Sequence, residues 1–206
     1  PVALTGERMD LRIRFRTTAV NEEIYFDRVR VRGTLCQPVY FSNGSGSLAD
    51  PIWSQFRDGS TSVPAFDRNA SLVVQSGHSI VNTGALQLMG IVVEDGAELA
   101  LGDGEVVVHG ESVKADGPLS SGQGSLVLTG AGAKRIEGGG LLDLYDLTVD
   151  APGGVTALAR TDIRGTLWID DGVFTAVERV RLRSTASGTG RLAPLYNDAD
   201  YAGNLV

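Results

Sequence analysis

The chain has 206 residues, a formal net charge of −7 and an isoelectric point near 4.8. An acidic surface cannot neutralise phosphates, which excludes a general nucleic-acid binder, and no apolar run of eighteen residues is present to cross a membrane as a helix. Glycine, at 27 residues, is about twice its usual share and aromatics are 6%, so turns are frequent and the core is filled mainly by Val, Leu and Ile.

The charge is unevenly spread. Residues 1–35 hold seven Arg against five acids, and the remainder eleven Lys plus Arg against twenty acids, which suggests two units. The chain begins at Pro1, and we expect a processed or partial piece of a longer protein. Cys36 is the sole cysteine, so neither an internal disulfide nor a cysteine metal cluster can form.

In LRIRFRTT, Leu11, Ile13 and Phe15 alternate with Arg12, Arg14 and Arg16, the period of a half-buried strand. After the turn-like AVNEE, the stretch IYFDRVRVRGT sets Val29 and Val31 against Arg28, Arg30 and Arg32. These are expected to be the last strands of an incomplete antiparallel β-sandwich over 1–37. The arginine rows read as a solvated sheet face, with an anionic glycan as the alternative occupant. Two or three strands enclose no core alone. Upstream sequence or a neighbouring subunit is therefore expected to complete the sheet, the latter by strand addition.

Residues 38–64 are rich in Ser, Gly, Asn, Asp and Pro and are expected to be a connector and cap, with Trp53 and Phe56 over the open end of the next unit. Asn43 and Asn69 fit the glycosylation acceptor pattern.

From 65 to 195 the chain is an irregular repeat. The pairs Leu72/Val74, Leu86/Leu88, Val106/Val108, Leu126/Leu128, Leu147/Val149 and Leu167/Ile169 recur at close to twenty residues, with no helical stretch between them. Asp95-Gly96 and Asp171-Gly172 would also suit hairpin turns, so a hairpin sandwich is the alternative. A twenty-residue period has no cause in a meander and has one in a coil. The fold expected is all-β: a right-handed parallel β-helix of about six short coils whose aliphatic side chains stack in ladders. Residues 196–206, with Tyr196 and Tyr201 after Pro194, are expected to leave the solenoid or begin another module.

The phrases LVVQSGHSIV, GIVVEDGAELALGDGEVVVHG, GSLVLTGAGAKRIEGGGLLDLYDLTVDAPGGVTALARTDIRGTLWIDDGVF and STASGTGRLAPL resemble the repetitive β-helical stalks of very large secreted surface proteins of the Bacteroidota. NEEIYFDRVRVRGT likewise resembles the last strands of the jelly-roll modules that precede such stalks. The resemblance covers about 170 residues and is one of style, low in catalytic content. It implies an adhesin-like element exported by type IX secretion to the cell surface. The sequence given carries neither signal peptide nor sorting domain, so export is implied by the resemblance alone.

Candidate chemistry is sparse. His78 and His109 lie in successive phrases with no acid or cysteine at ligand spacing and no nucleophile motif. Asp143/Asp146 and Asp170/Asp171 are paired carboxylates, but adjacent strand residues point to opposite faces, and the latter pair reads as the turn before Gly172. The run GAGAKRIEGGG is neither a phosphate loop nor a calcium nonapeptide. Turn aspartates Asp95, Asp103 and Asp116 are the candidates for weak calcium binding. No catalytic, cofactor or metal residue is assigned. The expected function is a non-catalytic extracellular stalk or filament unit, with other segments of a longer chain, neighbouring subunits or surface glycans as partners. The alternative is a carbohydrate-active β-helix, with acids and Arg160, Arg164 or Arg179 lining a groove.

Overall fold

The computed structural model describes residues 37–63, 70–184, 189–195 and 200–205. The chain divides into two compact units, Pro1–Cys36 and Gln37–Val206, and every described residue belongs to the second. The arginine-bearing strands and unfinished sandwich expected over 1–37, with Cys36, Asn69 and Tyr196, lie outside the described residues.

The described residues contain strands and turns and no helix. A partial first coil consists of β1 (Val39–Ser42) and β2 (Gly46–Ser47), followed by a small hairpin, β3 (Trp53–Ser54) and β4 (Ser62–Val63). Five complete coils of three strands come next. They are β5 (Ser71–Val74), β6 (Ser79–Val81) and β7 (Leu86–Leu88); then β8 (Gly90–Val93), β9 (Glu98–Ala100) and β10 (Val106–Val108). The third is β11 (Ser112–Ala115), β12 (Leu119–Ser120) and β13 (Ser125–Thr129), and the fourth β14 (Lys134–Glu137), β15 (Leu142–Leu144) and β16 (Asp146–Asp150). The fifth is β17 (Val155–Ala157), β18 (Thr161–Ile163) and β19 (Thr166–Asp171). A sixth coil has one long strand on two of its sides, β20 (Val173–Leu182), and β21 (Arg191–Leu192) on the third; β22 (Asp200–Leu205) comes last.

Strands of successive coils pair in parallel, giving three stacks. The first runs β1-β5-β8-β11-β14-β17-β20, with β22 on β20; the second runs β2-β6-β9-β12-β15-β18 and returns to β20; the third runs β7-β10-β13-β16-β19-β21. The protein is thus a parallel β-solenoid. Strands β1 and β2 lie within the segment expected to be a connector and carry the stack one part-coil earlier than residue 65. Likewise β22, expected to leave the solenoid, pairs in parallel with β20 through Phe174↔Tyr201 and its neighbours. Antiparallel pairing occurs where β3 joins the edge of β1 and β4 joins β3. Trp53 is buried there and donates its indole N–H to the Leu48 carbonyl at 2.9 Å. Phe56, expected beside it, is instead 56% exposed.

The interior is made of columns. In the first stack Tyr40, Leu72, Ile91, Val113, Ile136, Ala157 and Ala176 are successive partners. In the second, Ile80, Leu99, Leu119, Leu142, Thr161 and Val180 are. Five of the six apolar pairs seen in the sequence form the third stack in register, from Leu86/Leu88 to Leu167/Ile169. The sixth, Leu72/Val74, belongs to the first stack. Burying one such Leu or Val contributes about 2 kcal/mol. Where the first column narrows to Ala157 and Ala176, Phe174 on the same strand supplies the missing volume and is fully buried.

Both of these Asp-Gly steps are corners between successive sides of the solenoid. Gly96 and Gly172 take φ of 74° and 82°, a region that glycine enters without a Cβ penalty. At Gly172 a Cβ would also lie 1.9 Å from the Ala151 carbonyl of the coil before. The left-handed residue that would close a hairpin here turns the chain through a corner.

Candidate functional site: polar clusters on the corners and faces of the coils

Among the described residues, three clusters bring together side chains that could bear chemistry. The first sits where the first stack turns into the second, near the N-terminal end. Ser42 is fully buried, and its Oγ accepts the Gln75 backbone N–H at 2.9 Å and lies 2.8 Å from His78 Nδ1. The hydroxyl can donate to Nδ1 or accept from it, so the bond ties His78 to β1 in either tautomer. Glu94, one coil on, accepts the Ser76 N–H at 3.1 Å and pairs with Arg57. That guanidinium holds the Glu94 carboxyl below the usual range, and it also stands 5.4 Å from the Phe41 ring centre.

Serine, histidine and an acid are thus gathered at one place, but not in working order. A nucleophile must reach its substrate and its base must be oriented by the acid. Ser42 has no exposed surface, and the hydrogen bonds of the Glu94 carboxylate run to Arg57 and Ser76. No spacing in the sequence announces this cluster, because Ser42 lies 36 residues from His78 across the hairpin.

The second cluster lies on the outer face of the second stack. Asp143, Asp162 and Arg181 occupy one outward column on β15, β18 and β20. The Arg181 fork donates Nε–H to Asp162 Oδ1 at 2.8 Å and Nη2–H to Oδ2 at 2.6 Å, and Arg183 Nη1 adds a third bond at 3.1 Å. Only 1% of the Asp162 side chain is exposed. Burial pushes its carboxyl up, but the bonds and charges of Arg181 and Arg183 together outweigh burial and hold it below the ordinary range. Arg164 donates Nε–H to Asp143 at 3.0 Å and Nη2–H to the carbonyls of Ser121 and Gly122.

Asp143 therefore neighbours Asp162, not Asp146. Asp146 is on the third stack and accepts the Thr166 N–H at 2.5 Å. Of the arginines expected to line a groove, Arg164 is committed to Asp143, Arg160 is exposed at the preceding corner, and the Arg179 side chain lies outside the described residues. Asp170 and Asp171 end β19 just before the Gly172 corner. A general acid needs a carboxyl that keeps its proton near neutrality, and Asp162 is shifted the other way.

The third cluster is a shallow cleft of about 490 Å³ lined by Ser71, Met89, His109, Glu111, Ser112 and Lys134, among others. Lys134 is 3% exposed and occupies an interior column with Val155, Phe174 and Tyr201. Its Nζ donates to the carbonyls of His109 and Gly110, both at 2.9 Å. Burial lowers the ammonium's pKa, and Glu111 offsets part of that. His109 enters the cluster through its backbone.

Two of the three aspartates considered for calcium serve as ties. Asp103 accepts the Gln123 N–H at 2.8 Å, and Asp116 accepts the Gly139 N–H at 3.1 Å while pairing with Lys114 at 3.2 Å. Asp95 is exposed at its corner, and Asn43 is exposed likewise. Among the described residues no three His, Cys, Asp or Glu side chains group as a metal site. Comparison with protein-family models, with curated proteins and with solved structures finds no match.

Proposed function

We propose that the solenoid is a non-catalytic structural and adhesive element, a stalk or filament unit of a large bacterial cell-surface protein. One observation carries this reading: the polar side chains tie each coil to the next. Their bonds join residues one coil apart in sequence, 18 for Ser76–Glu94, 19 for Asp162–Arg181, 20 for Asp103–Gln123, 21 for Asp143–Arg164 and 23 for Asp116–Gly139. A stack held in this way resists bending and slipping between neighbouring coils. Corners between coils are short, as between β7 and β8, where Met89 alone separates the strands. Apart from the hairpin of β3 and β4, the described corners carry none of the long inserted loops from which a β-solenoid would build a cleft.

Export to the cell surface by type IX secretion belongs to the same proposal and rests on the likeness of the repeats to Bacteroidota stalks. The test is surface labelling of intact cells, with electron microscopy of the purified chain. A thin particle and surface label support the proposal, and label confined to the cell interior removes it. A polysaccharide-cleaving reading is favoured by one feature, the adjacency of Asp143 and Asp162. Release of reducing ends from a polysaccharide, abolished by Asp143→Asn, would establish that reading in place of the scaffold.

A further inference from the structure

We infer that the outer face of the third stack, around Trp168, is a binding site for a neutral glycan. The inference rests on the adhesive half of the proposed function and names what would be held. Along β19, Leu167 and Ile169 point into the core while Thr166, Trp168 and Asp170 take the outer side. Trp168 is 39% exposed, an unusual placement for the largest side chain. Below it the same column holds Thr148, Val127, Val107 and Gln87, one per coil, at a spacing of about 4.8 Å. Among the described residues neither a second ring nor a cation stacks on the indole.

The strands around Trp168 carry hydrogen-bonding groups of both kinds. Towards the start of β19, Arg191, exposed on β21 and paired in register with Thr166, donates Nε–H to Thr166 Oγ1 at 3.1 Å, which anchors the guanidinium and leaves its outer N–H groups for another acceptor. Towards its end stand exposed Asp170 and, one coil below in register with Asp171 across a bulge, exposed Asp150. Asp150 Oδ2 accepts the Thr129 hydroxyl at 2.8 Å, which fixes the carboxylate and leaves Oδ1 available.

A pyranose ring has the complementary form. Its C–H face lies flat on an aromatic plate, and its hydroxyls, donors and acceptors at once, meet guanidinium on one edge and carboxylate on the other. A cationic partner fits less well. Ammonium over the indole would gain from Asp150 and Asp170 but would meet the Arg191 charge towards the start of β19. The flat, open face suits a chain laid across it and offers no enclosed pocket for a single small molecule.

The experiment is affinity electrophoresis of the intact chain through gels containing mixed-linkage β-glucan, xylan, mannan or galactan, with polylysine as a separate probe. At least one neutral glycan should retard the wild type. Trp168→Ala should weaken that retardation about tenfold, corresponding to ~1.4 kcal/mol, and Trp168→Phe should restore part of it. Circular dichroism of Trp168→Ala should match wild type, because the ring is exposed. As a second readout, acrylamide quenching of tryptophan fluorescence should fall on adding the retarding glycan; Trp53 is buried, so the accessible signal is that of Trp168. Three outcomes overturn the site: no glycan retards the chain, Trp168→Ala is retarded as strongly as wild type, or only polylysine binds. None of these bears on the shape or cellular location of the chain, so failure here is distinct from failure of the scaffold proposal.

Discussion

Arg57 and Arg181 each clasp a carboxylate, and the two pairs differ in what surrounds them. The Arg57 side chain is 61% exposed and its partner Glu94 22%, so both ends of that pair remain in water. Asp162 is 1% exposed and is held by the Arg181 fork with Arg183 behind it. Exposed pairs are screened and contribute little. A buried carboxylate without its partners is costly. The N-terminal pair is a strap over the corner, whereas the C-terminal network joins β18 to β20 through a buried carboxylate.

The largest effect should come from the core beneath that network. Phe174→Ala opens a cavity in a fully buried column and should cost about 3–5 kcal/mol in chemical denaturation. If it costs no more than the network variants, the ranking of core above ion pair is wrong. Next come Arg181→Met and Asp162→Asn, of which Arg181→Met should be the more damaging. It leaves a dehydrated carboxylate behind, whereas the arginines freed by Asp162→Asn can turn to solvent. Asp162→Asn should cost about 1–3 kcal/mol, and equal losses for the two would show that the burial of Asp162 is not the deciding factor.

Acid should separate the two regions further. The Asp162 carboxyl is depressed in the folded state. The stability it contributes is therefore present above the ordinary carboxylate pKa, about 4, and is lost as pH falls through the lower folded value. Hydrogen-exchange protection in β18 and β20, corrected for the intrinsic pH dependence of exchange, should fall in acid in the wild type and change less with pH in Asp162→Asn. Arg57→Ala should have the smallest effect. Its unfolding midpoint should stay close to wild type, and any loosening should be confined to the hairpin of β3 and β4. A global loss of stability in that variant would erase the distinction between strap and network.

The periodicity of the chain made much of the solenoid legible. The pairs from Leu86/Leu88 to Leu167/Ile169 are one face read five times, because a column needs an apolar residue at the same phase of each coil. The polar ties were partly legible for the same reason. Asp143 and Arg164, or Asp162 and Arg181, are opposite charges one period apart, a signal available once the period is taken as a coil length. Ser42 and His78 gave no such signal, since the hairpin of β3 and β4 interrupts the count between them. Nor did the three-residue spacing of Asp143 and Asp146 reveal that a corner at Tyr145 puts them on different faces.

The sequence by itself determined the class of fold, since an apolar pair every twenty residues with glycine-bearing turns between satisfies backbone and core together only when coils stack in parallel. It also determined the excess of acid over base and the scarcity of catalytic groups. Only the tertiary structure decided that β1 and β22 join the stack, which carboxylates are shielded, and that Trp168 stands on the outer face of β19. Those properties depend on neighbours one coil away. Their alignment is set by corner lengths that vary, within the five complete coils, from one residue at Met89 to five at residues 101–105, and a loose repeat leaves those lengths unspecified.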